Sequence, residues 1–209
     1  MKYFAKFSLL GALLAASVNI ASATPITPSQ QNLIPSVTAQ PNGTQIANDS
    51  GVLTGQSTFS ATYYEAVFEG GTGSLCPTCL AFDFSFNETA GPALIEEIAV
   101  SSFFGYVTNG DYIADSSNAP TFLSETSNGT INYNVTDVSG TEADSIIIYT
   151  NATSTQPGYY SLQDSTAGNA PDLAPAGTPV SLTPEPSSIA LLGTGLLGMA
   201  VMIRRKVMV

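Results

Sequence analysis

The chain has 209 residues, and 16 carboxylates against five lysines and arginines give it a formal net charge of −11. All five cations lie near the two ends, so the central segment is purely anionic. Such a segment gains no affinity by displacing the counterions of phosphates, and it repels anionic lipid headgroups. These charges exclude nucleic acid as a partner, and they leave the apolar ends as the route to a membrane.

The lack of histidine limits the catalytic chemistry, because neither a Ser-His-Asp triad nor any other histidine base is available. The central segment also lacks lysine and arginine, which excludes Schiff-base chemistry and guanidinium clamps. Two-carboxylate glycoside hydrolysis stays open in principle. Many carboxylate pairs arise by chance in so acidic a chain, so the composition favours a non-catalytic protein without a cofactor.

The first 23 residues have the pattern of a secretory signal peptide. Lys2 and Lys6 precede an uncharged apolar run, and Ala21 and Ala23 supply small side chains where signal peptidase requires them. The alternative, a buried N-terminal helix, would normally show a polar stripe, and none is visible. We therefore expect signal peptidase to cleave the exported chain, and the mature protein to begin near Thr24.

Residues 24–50 contain four prolines among polar residues and have no sustained apolar period, which predicts a loose arm or an edge strand. A β domain follows over residues 51–166. Leucine and phenylalanine alternate with small or polar residues in CLAFDFSFNET, and INYNVTD places Ile131, Tyr133 and Val135 on one face. With turn clusters between further apolar runs, this pattern predicts an all-β, jelly-roll-like antiparallel sandwich.

Glu96 and Glu97 offer one short helix in ALIEEIAV, which would leave the fold class unchanged.

The tyrosine pairs Tyr63-Tyr64 and Tyr159-Tyr160 are candidates for stacking on sugars. Neighbours in a strand face opposite ways, so one tyrosine of each pair is expected in the core.

Cys76 and Cys79 have the spacing of a redox dithiol or of half a zinc site. No βαβ pattern surrounds them, and the chain has no second cysteine pair and no histidine to complete a zinc site. In an exported chain, a local disulfide that closes a loop is the favoured interpretation.

The stretch NGDYIADSSN is a weak candidate for a calcium site. It brings Asp111 and Asp115 together with Asn109 and Asn118, which supplies oxygen ligands. The spacing is not that of an EF-hand, so a solvated turn is favoured and no metal site is expected.

After the β domain, the Ala, Pro and Gly residues of 167–183 predict a stalk that lifts the domain off the membrane.

The segment from Ser188 to Ile203 carries no charge and predicts a transmembrane helix. As a helix it would span roughly 24 Å, and snorkelling arginines and a thinned bilayer compensate for the shortfall. Arg204, Arg205 and Lys206 form a basic stop that stays cytoplasmic by the positive-inside rule. The predicted topology therefore places the body outside and the tail inside.

Pro184-Glu185-Pro186, the glycine-rich apolar segment with LLGTGLLG, and the RRK cluster follow one another in this order. The arrangement resembles the PEP-CTERM sorting signal of Gram-negative bacterial surface proteins. This resemblance, which covers residues 184–209, implies processing by exosortase, a membrane-embedded, transpeptidase-like cysteine protease. It also implies that Pro184, Glu185 and Pro186 are the recognition motif, and that the protein is associated with exopolysaccharide and biofilm.

Ala190, Thr194 and Gly198 recur every four residues, which would line three small side chains along one face of the membrane helix. Such faces permit close helix approach in lipid. We expect this face to meet exosortase, with a self-dimer or an accidental alignment as the alternatives.

Together these features predict an exported protein that is anchored in the inner membrane as a precursor and then reaches the cell surface or matrix. The expected function is non-catalytic and linked to extracellular polysaccharide. A carbohydrate-binding module is the alternative, and a two-carboxylate glycosidase is the third candidate.

Overall fold

The computed structural model describes residues 24–27, 29–55, 59–90, 95–114, 119–138, 145–164 and 166–181. All regular secondary structure in these ranges is β. In chain order the strands are β1 (Thr24–Ile26), β2 (Ser36–Val37), β3 (Thr44–Gly55), β4 (Phe59–Glu69), β5 (Leu80–Ala90), β6 (Ile95–Val100), β7 (Thr108–Ile113), β8 (Phe122–Glu125), β9 (Ile131–Val138), β10 (Ser145–Thr150), β11 (Ser154–Gln163) and β12 (Ala167–Ala176).

The strands form two sheets that share one core. The larger sheet has the order β1-β7-β10-β5-β4-β3, with β2 beside β7, and the smaller has the order β12-β11-β6-β9-β8. The β2–β7 pair is parallel and the other pairs are antiparallel. The predicted all-β class is confirmed, and the arrangement is consistent with a β-sandwich.

The apolar side chains that recur at every second position fill the space between the sheets. Phe82, Phe84 and Phe86 of β5 and Tyr133 of β9 are fully buried. Phe103, which follows β6, meets the edge of the Phe82 ring with the centroids 5.5 Å apart. Edge-to-face and offset contacts of this kind add to the stability that burial provides.

Part of the larger sheet is covered on its outer face as well. Ala81 of β5 and Ile147 and Tyr149 of β10 form a second, smaller apolar cluster there, with Phe68 and Leu75 against it. Because both faces of β10 are buried, its sequence SIIIYT reads as a continuous apolar run rather than an alternation.

The sequence predicts a loose arm or an edge strand over 24–50, and the structure corrects the first and shows the second. This segment contains β1 and β2, which pair with β7, and most of β3, which pairs with β4. These strands lie at the edges of the larger sheet, where one row of backbone groups needs no partner strand. Only every second residue of β3 is withdrawn from solvent, so its apolar signal is weak.

The predicted stalk over 167–183 and the predicted short helix are also corrected. Residues Ala167–Ala176 form β12, an edge strand that pairs along its whole length with β11. The prolines Pro171 and Pro175 are compatible with an edge, where a missing amide hydrogen removes no second ladder bond. Glu96 and Glu97 lie in β6, which is held between β11 and β9. Pairing on both sides overrides the local helix preference.

The predicted signal peptide, the processing motif and the membrane helix lie outside the described residues. In the part of the chain that is described, no helix has the length and apolarity needed to cross a membrane.

Candidate functional site

An open groove with a volume of about 250 Å³ lies on the uncovered part of the larger sheet's outer face. Two rows of residues cross it from β3 through β4 to β5. Ser50, Tyr64 and Ser85 form one row, and Asn48, Ala66 and Asp83 form the other. The complete lining is Gln45, Asn48, Asp49, Ser50, Tyr64, Glu65, Ala66, Asp83 and Ser85.

The groove follows from side-chain size and strand alternation. The small side chain of Ala66 forms the floor between Asn48 and Asp83, while the neighbouring Tyr64 ring is half exposed beside it. Gln40 donates a hydrogen bond to the Asp83 carboxylate, which fixes the polar wall. The groove thus offers one aromatic face together with amide, hydroxyl and carboxylate groups, a combination suited to a polar ligand with an apolar face.

A second polar feature lies between the two sheets, at the seam where β3 and β4 approach β12. The side chain of Glu65 points inward and accepts a 2.8 Å hydrogen bond from the Leu173 amide of β12. The Tyr63 hydroxyl donates to the Pro171 carbonyl oxygen at 3.0 Å. These bonds tie the larger sheet to the edge strand of the smaller one.

The seam holds buried carboxyl groups that lack full hydrogen bonding. Glu65 and Asp172 are 3% and 4% exposed. In the structure, Oε1 of Glu65, both carboxylate oxygens of Asp172 and the Tyr160 hydroxyl have no hydrogen-bond partner. An ionised carboxylate is costly in such surroundings, so the protonated form is favoured.

Burial accordingly raises the pKa of Glu65 to about 8, and repulsion from Asp172 and Asp49 acts in the same direction against the Leu173 hydrogen bond. Burial also raises the pKa of Asp172 to about 8, with a further contribution from Asp49. The pKa of the Tyr160 hydroxyl is well above its ordinary value, first because of burial and then because of these two carboxyl groups. At neutral pH the seam is therefore largely protonated and uncharged.

A third feature fixes the place where the chain leaves the body. Asn151, which is buried after β10, donates from Nδ2 to the Val180 carbonyl oxygen at 2.9 Å. The Val180 amide donates back to the Asn151 carbonyl oxygen at 2.9 Å, and Oδ1 of Asn151 accepts from the Val107 amide at 2.8 Å. We call these contacts the Asn151 clamp.

The residues singled out from the sequence do not converge on one site. Cys76 and Cys79 form a disulfide in the loop between β4 and β5, with their Cα atoms 4.9 Å apart. Tyr63 and Tyr160 are core residues, whereas Tyr64 and Tyr159 are 50% and 67% exposed, as strand alternation predicts. Tyr64 lines the groove, while Tyr159 lies on the other sheet.

The weak calcium candidate is not supported where the structure describes it. Asn109 and Asp111 belong to strand β7 rather than to a loop, and Asp111 is buried. Asp115 and Asn118 lie outside the described residues. Among the residues that are described, no group of three or more His, Cys, Asp or Glu side chains is arranged to hold a metal ion.

The sequence interpretation missed Glu65, Asp172 and Asn151. A signal for Glu65 was present, because it occupies an apolar position in the alternation of Phe59, Ala61, Tyr63 and Val67. A carboxylate at such a position indicates a buried acid. No comparable signal exists for Asn151, because its partners Val107 and Val180 are far from it in the sequence and come close only in the fold.

Comparison with known protein families gives one match. Residues 182–206 match the PEP-CTERM protein-sorting motif, which confirms the sorting signal recognised from the order of Pro-Glu-Pro, apolar segment and basic cluster. The motif indicates exosortase-dependent sorting to the cell surface. No significant match to the chain was found among curated proteins or among solved structures.

Proposed function

From the premise that this chain is a PEP-CTERM protein and an exosortase substrate, we propose that its β-sandwich is a non-catalytic surface or matrix component. In this proposal, the body associates with extracellular polysaccharide after exosortase has processed the membrane-anchored precursor. The match to the sorting motif carries the proposal, because it assigns the chain to a route that ends at the cell surface.

The positions of the carboxylates support a non-catalytic role. Glycoside hydrolysis needs two carboxyl groups on either side of an accessible bond. In the groove, the row of Asp83 continues with Ala66 and Asn48 instead of a second acid. Asp49, which also lines the groove, follows Asn48 on β3 and therefore alternates to the other face of the strand. Glu65, the acid with a strongly raised pKa on the same strand as Ala66, points between the sheets and is almost completely buried.

Expression in a Gram-negative host with and without exosortase tests the proposal. With exosortase, the body should appear in the surface and polysaccharide fractions, and purified protein should release no sugar from the host polysaccharide. Without exosortase, the full-length chain should stay in the inner-membrane fraction. Recovery of the same membrane-bound form in both hosts, or measurable hydrolysis, would contradict the proposal.

The groove favours a second candidate function, a carbohydrate-binding module. A half-exposed tyrosine beside amides, serines and carboxylates can stack on a sugar ring while polar groups bond its hydroxyls. The groove also lies in a body without a single cation, so polysaccharides rich in uronic acids would be repelled. A neutral glycan is therefore the expected ligand of this alternative.

Glycan-array binding of the exported body distinguishes the two candidates. Under the binding-module hypothesis, wild type binds neutral glycans and Tyr64→Ala removes that binding. Tyr159→Ala is the matched control, because Tyr159 is also exposed but lies on the other sheet. Equal loss from both variants, or no binding by wild type, would exclude the groove as a glycan site and leave the matrix role.

A further inference from the structure

The Asn151 clamp holds the chain close to the point where it must enter the membrane. Val180 is fixed to the body, and four positions later the chain reaches Pro184. The residues between the clamp and the predicted membrane helix are 181–187, which span at most ~25 Å when fully extended. This connection is short because residues 167–176 form strand β12 of the body and are not part of a stalk.

The clamp lies at one end of the sandwich, which we call the tail-exit end. Several connections meet there: the Phe103 amide donates to the Gly129 carbonyl oxygen, and the Tyr106 hydroxyl donates to the Gly177 carbonyl oxygen. The tail-exit end consists of residues 70–79, 101–107, 126–130, 151–153 and 177–181.

None of these five segments contains an Asp, Glu, Lys or Arg residue. The nearest carboxylates are Glu69, which is half-buried, and Glu125, which is buried. At the opposite end of the strands, Glu88 lies two residues before the end of β5, and Glu96 is the second residue of β6. The acidic body is therefore polarised, with its carboxylates away from the point where the tail leaves.

Two large apolar side chains are exposed at the tail-exit end. Phe104 is 65% exposed and Val107 is 47% exposed. Both belong to the loop between β6 and β7, and the backbone amide of Val107 is held by the Asn151 side chain. Val107 is thus fixed to the same residue that fixes the departing chain.

We propose that the tail-exit end, through Phe104 and Val107, lies on the lipid surface of the inner membrane while the precursor is anchored there. This orientation is additional to the sorting route, and it rests on the proposed anchoring by the predicted helix. The short connection brings this end within reach of the headgroup region. The uncharged surface avoids repulsion from anionic lipid, and aromatic side chains are favoured at the interface.

Tryptophan fluorescence of the full-length precursor tests this orientation, since the native chain contains no tryptophan. Phe104→Trp places the reporter at the tail-exit end. Val52→Trp is the matched control, because Val52 is 69% exposed on the outer face of β3, away from this end. Each variant is inserted into phosphatidylcholine vesicles, with and without bromine on the acyl chains, and membrane insertion is checked by flotation.

In floating vesicles, the tryptophan at position 104 should show blue-shifted emission and lose intensity in brominated lipid, whereas the tryptophan at position 52 should match its spectrum in water. Identical spectra for the two variants in floating vesicles would overturn the orientation and leave the anchoring intact. Failure of both variants to float would overturn the anchoring, and the orientation with it.

Discussion

Asn151 and Val180 exchange two hydrogen bonds of 2.9 Å, one from the Asn151 side chain and one from the Val180 backbone. The remaining Asn151 side-chain atom, Oδ1, accepts from the Val107 amide. One buried amide side chain thus satisfies two backbone groups that belong to segments far apart in the sequence. No other residue type of this size carries both a donor and an acceptor in this arrangement, apart from aspartic acid in its protonated form.

Asn151→Ala should therefore lower the free energy of unfolding of the exported body by about 1–3 kcal/mol, because backbone groups of Val107 and Val180 lose their partner. Urea denaturation monitored by circular dichroism measures this change. Asn169→Ala is the control: Asn169 is exposed on β12, and its removal should change the stability by less than about 0.5 kcal/mol. Equal losses for both variants would show that the clamp contributes nothing specific.

The buried carboxyl groups of the seam predict a body that is most stable in acid. The folded-state pKa values of Glu65 and Asp172 are about 8, whereas ordinary values are about 4. Between these values the folded state keeps protons that the unfolded state has lost, so stability falls as the pH rises. The stabilisation from the protonated seam should be complete below about pH 4. It should be lost as the pH rises from about 4 through 8, at up to ~1.4 kcal/mol per pH unit for each group. Melting temperatures measured from pH 4 to 9 should therefore fall as the pH rises.

Glu65→Gln should flatten this pH dependence by about half, since glutamine does not titrate and its carbonyl oxygen can still accept the Leu173 hydrogen bond. Glu96→Gln is the matched control, because Glu96 is exposed on β6 and should leave the slope unchanged. A wild-type melting temperature that is constant or rises between pH 5 and 8 would disprove a protonated seam.

The disulfide between Cys76 and Cys79 should be present in the exported protein and should matter little for overall stability. Exported thiols are not kept reduced, and the loop they close is short, so the chain-entropy contribution is no more than ~2 kcal/mol. Mass spectrometry without reduction should find the two cysteines joined to each other. Rapid alkylation of both thiols in the native protein is the contrary result.

We expect substitutions in the processing motif to block maturation without blocking export. Replacing Glu185 with Ala, or both Pro184 and Pro186, should leave export intact and trap the full-length protein in the membrane. The prolines keep the backbone extended and unable to start a helix, which suits a protease cleft. Immunoblots of membrane and surface fractions in a host with exosortase measure the outcome. Normal maturation of the Glu185→Ala protein would remove this residue from the recognition motif.

The sequence predicted the strands in which apolar residues recur at every second position. The phenylalanines of β5 and Ile131, Tyr133 and Val135 of β9 are buried as their spacing indicates. Strand β12 was missed because AGNAPDLAPA carries small residues and prolines, and its place depends on pairing with β11 rather than on its own apolar pattern.

The candidate sites depended still more on contacts between distant residues. The exposed tyrosine of each pair followed from alternation, but the position of Tyr64 beside Asp83 depends on the pairing of β4 with β5. Asp172 reads as a surface residue in a polar, proline-rich stretch, and only the packing of the two sheets buries it. The sorting motif was recognisable because its elements are contiguous and need no fold to define them.

The position of β12 at the end of the body also orders the events of biogenesis. An exported chain emerges from its N-terminal side, so β3, which faces this seam, is outside long before β12. Glu65 must wait for the Leu173 amide, which is 108 residues later in the chain. The sandwich can close only when nearly all of the body has been translocated, and the predicted apolar segment begins at Ser188, 12 residues after the end of β12. We therefore expect closure of the fold and arrest of translocation by the predicted membrane helix to occur close together, before exosortase processes the precursor.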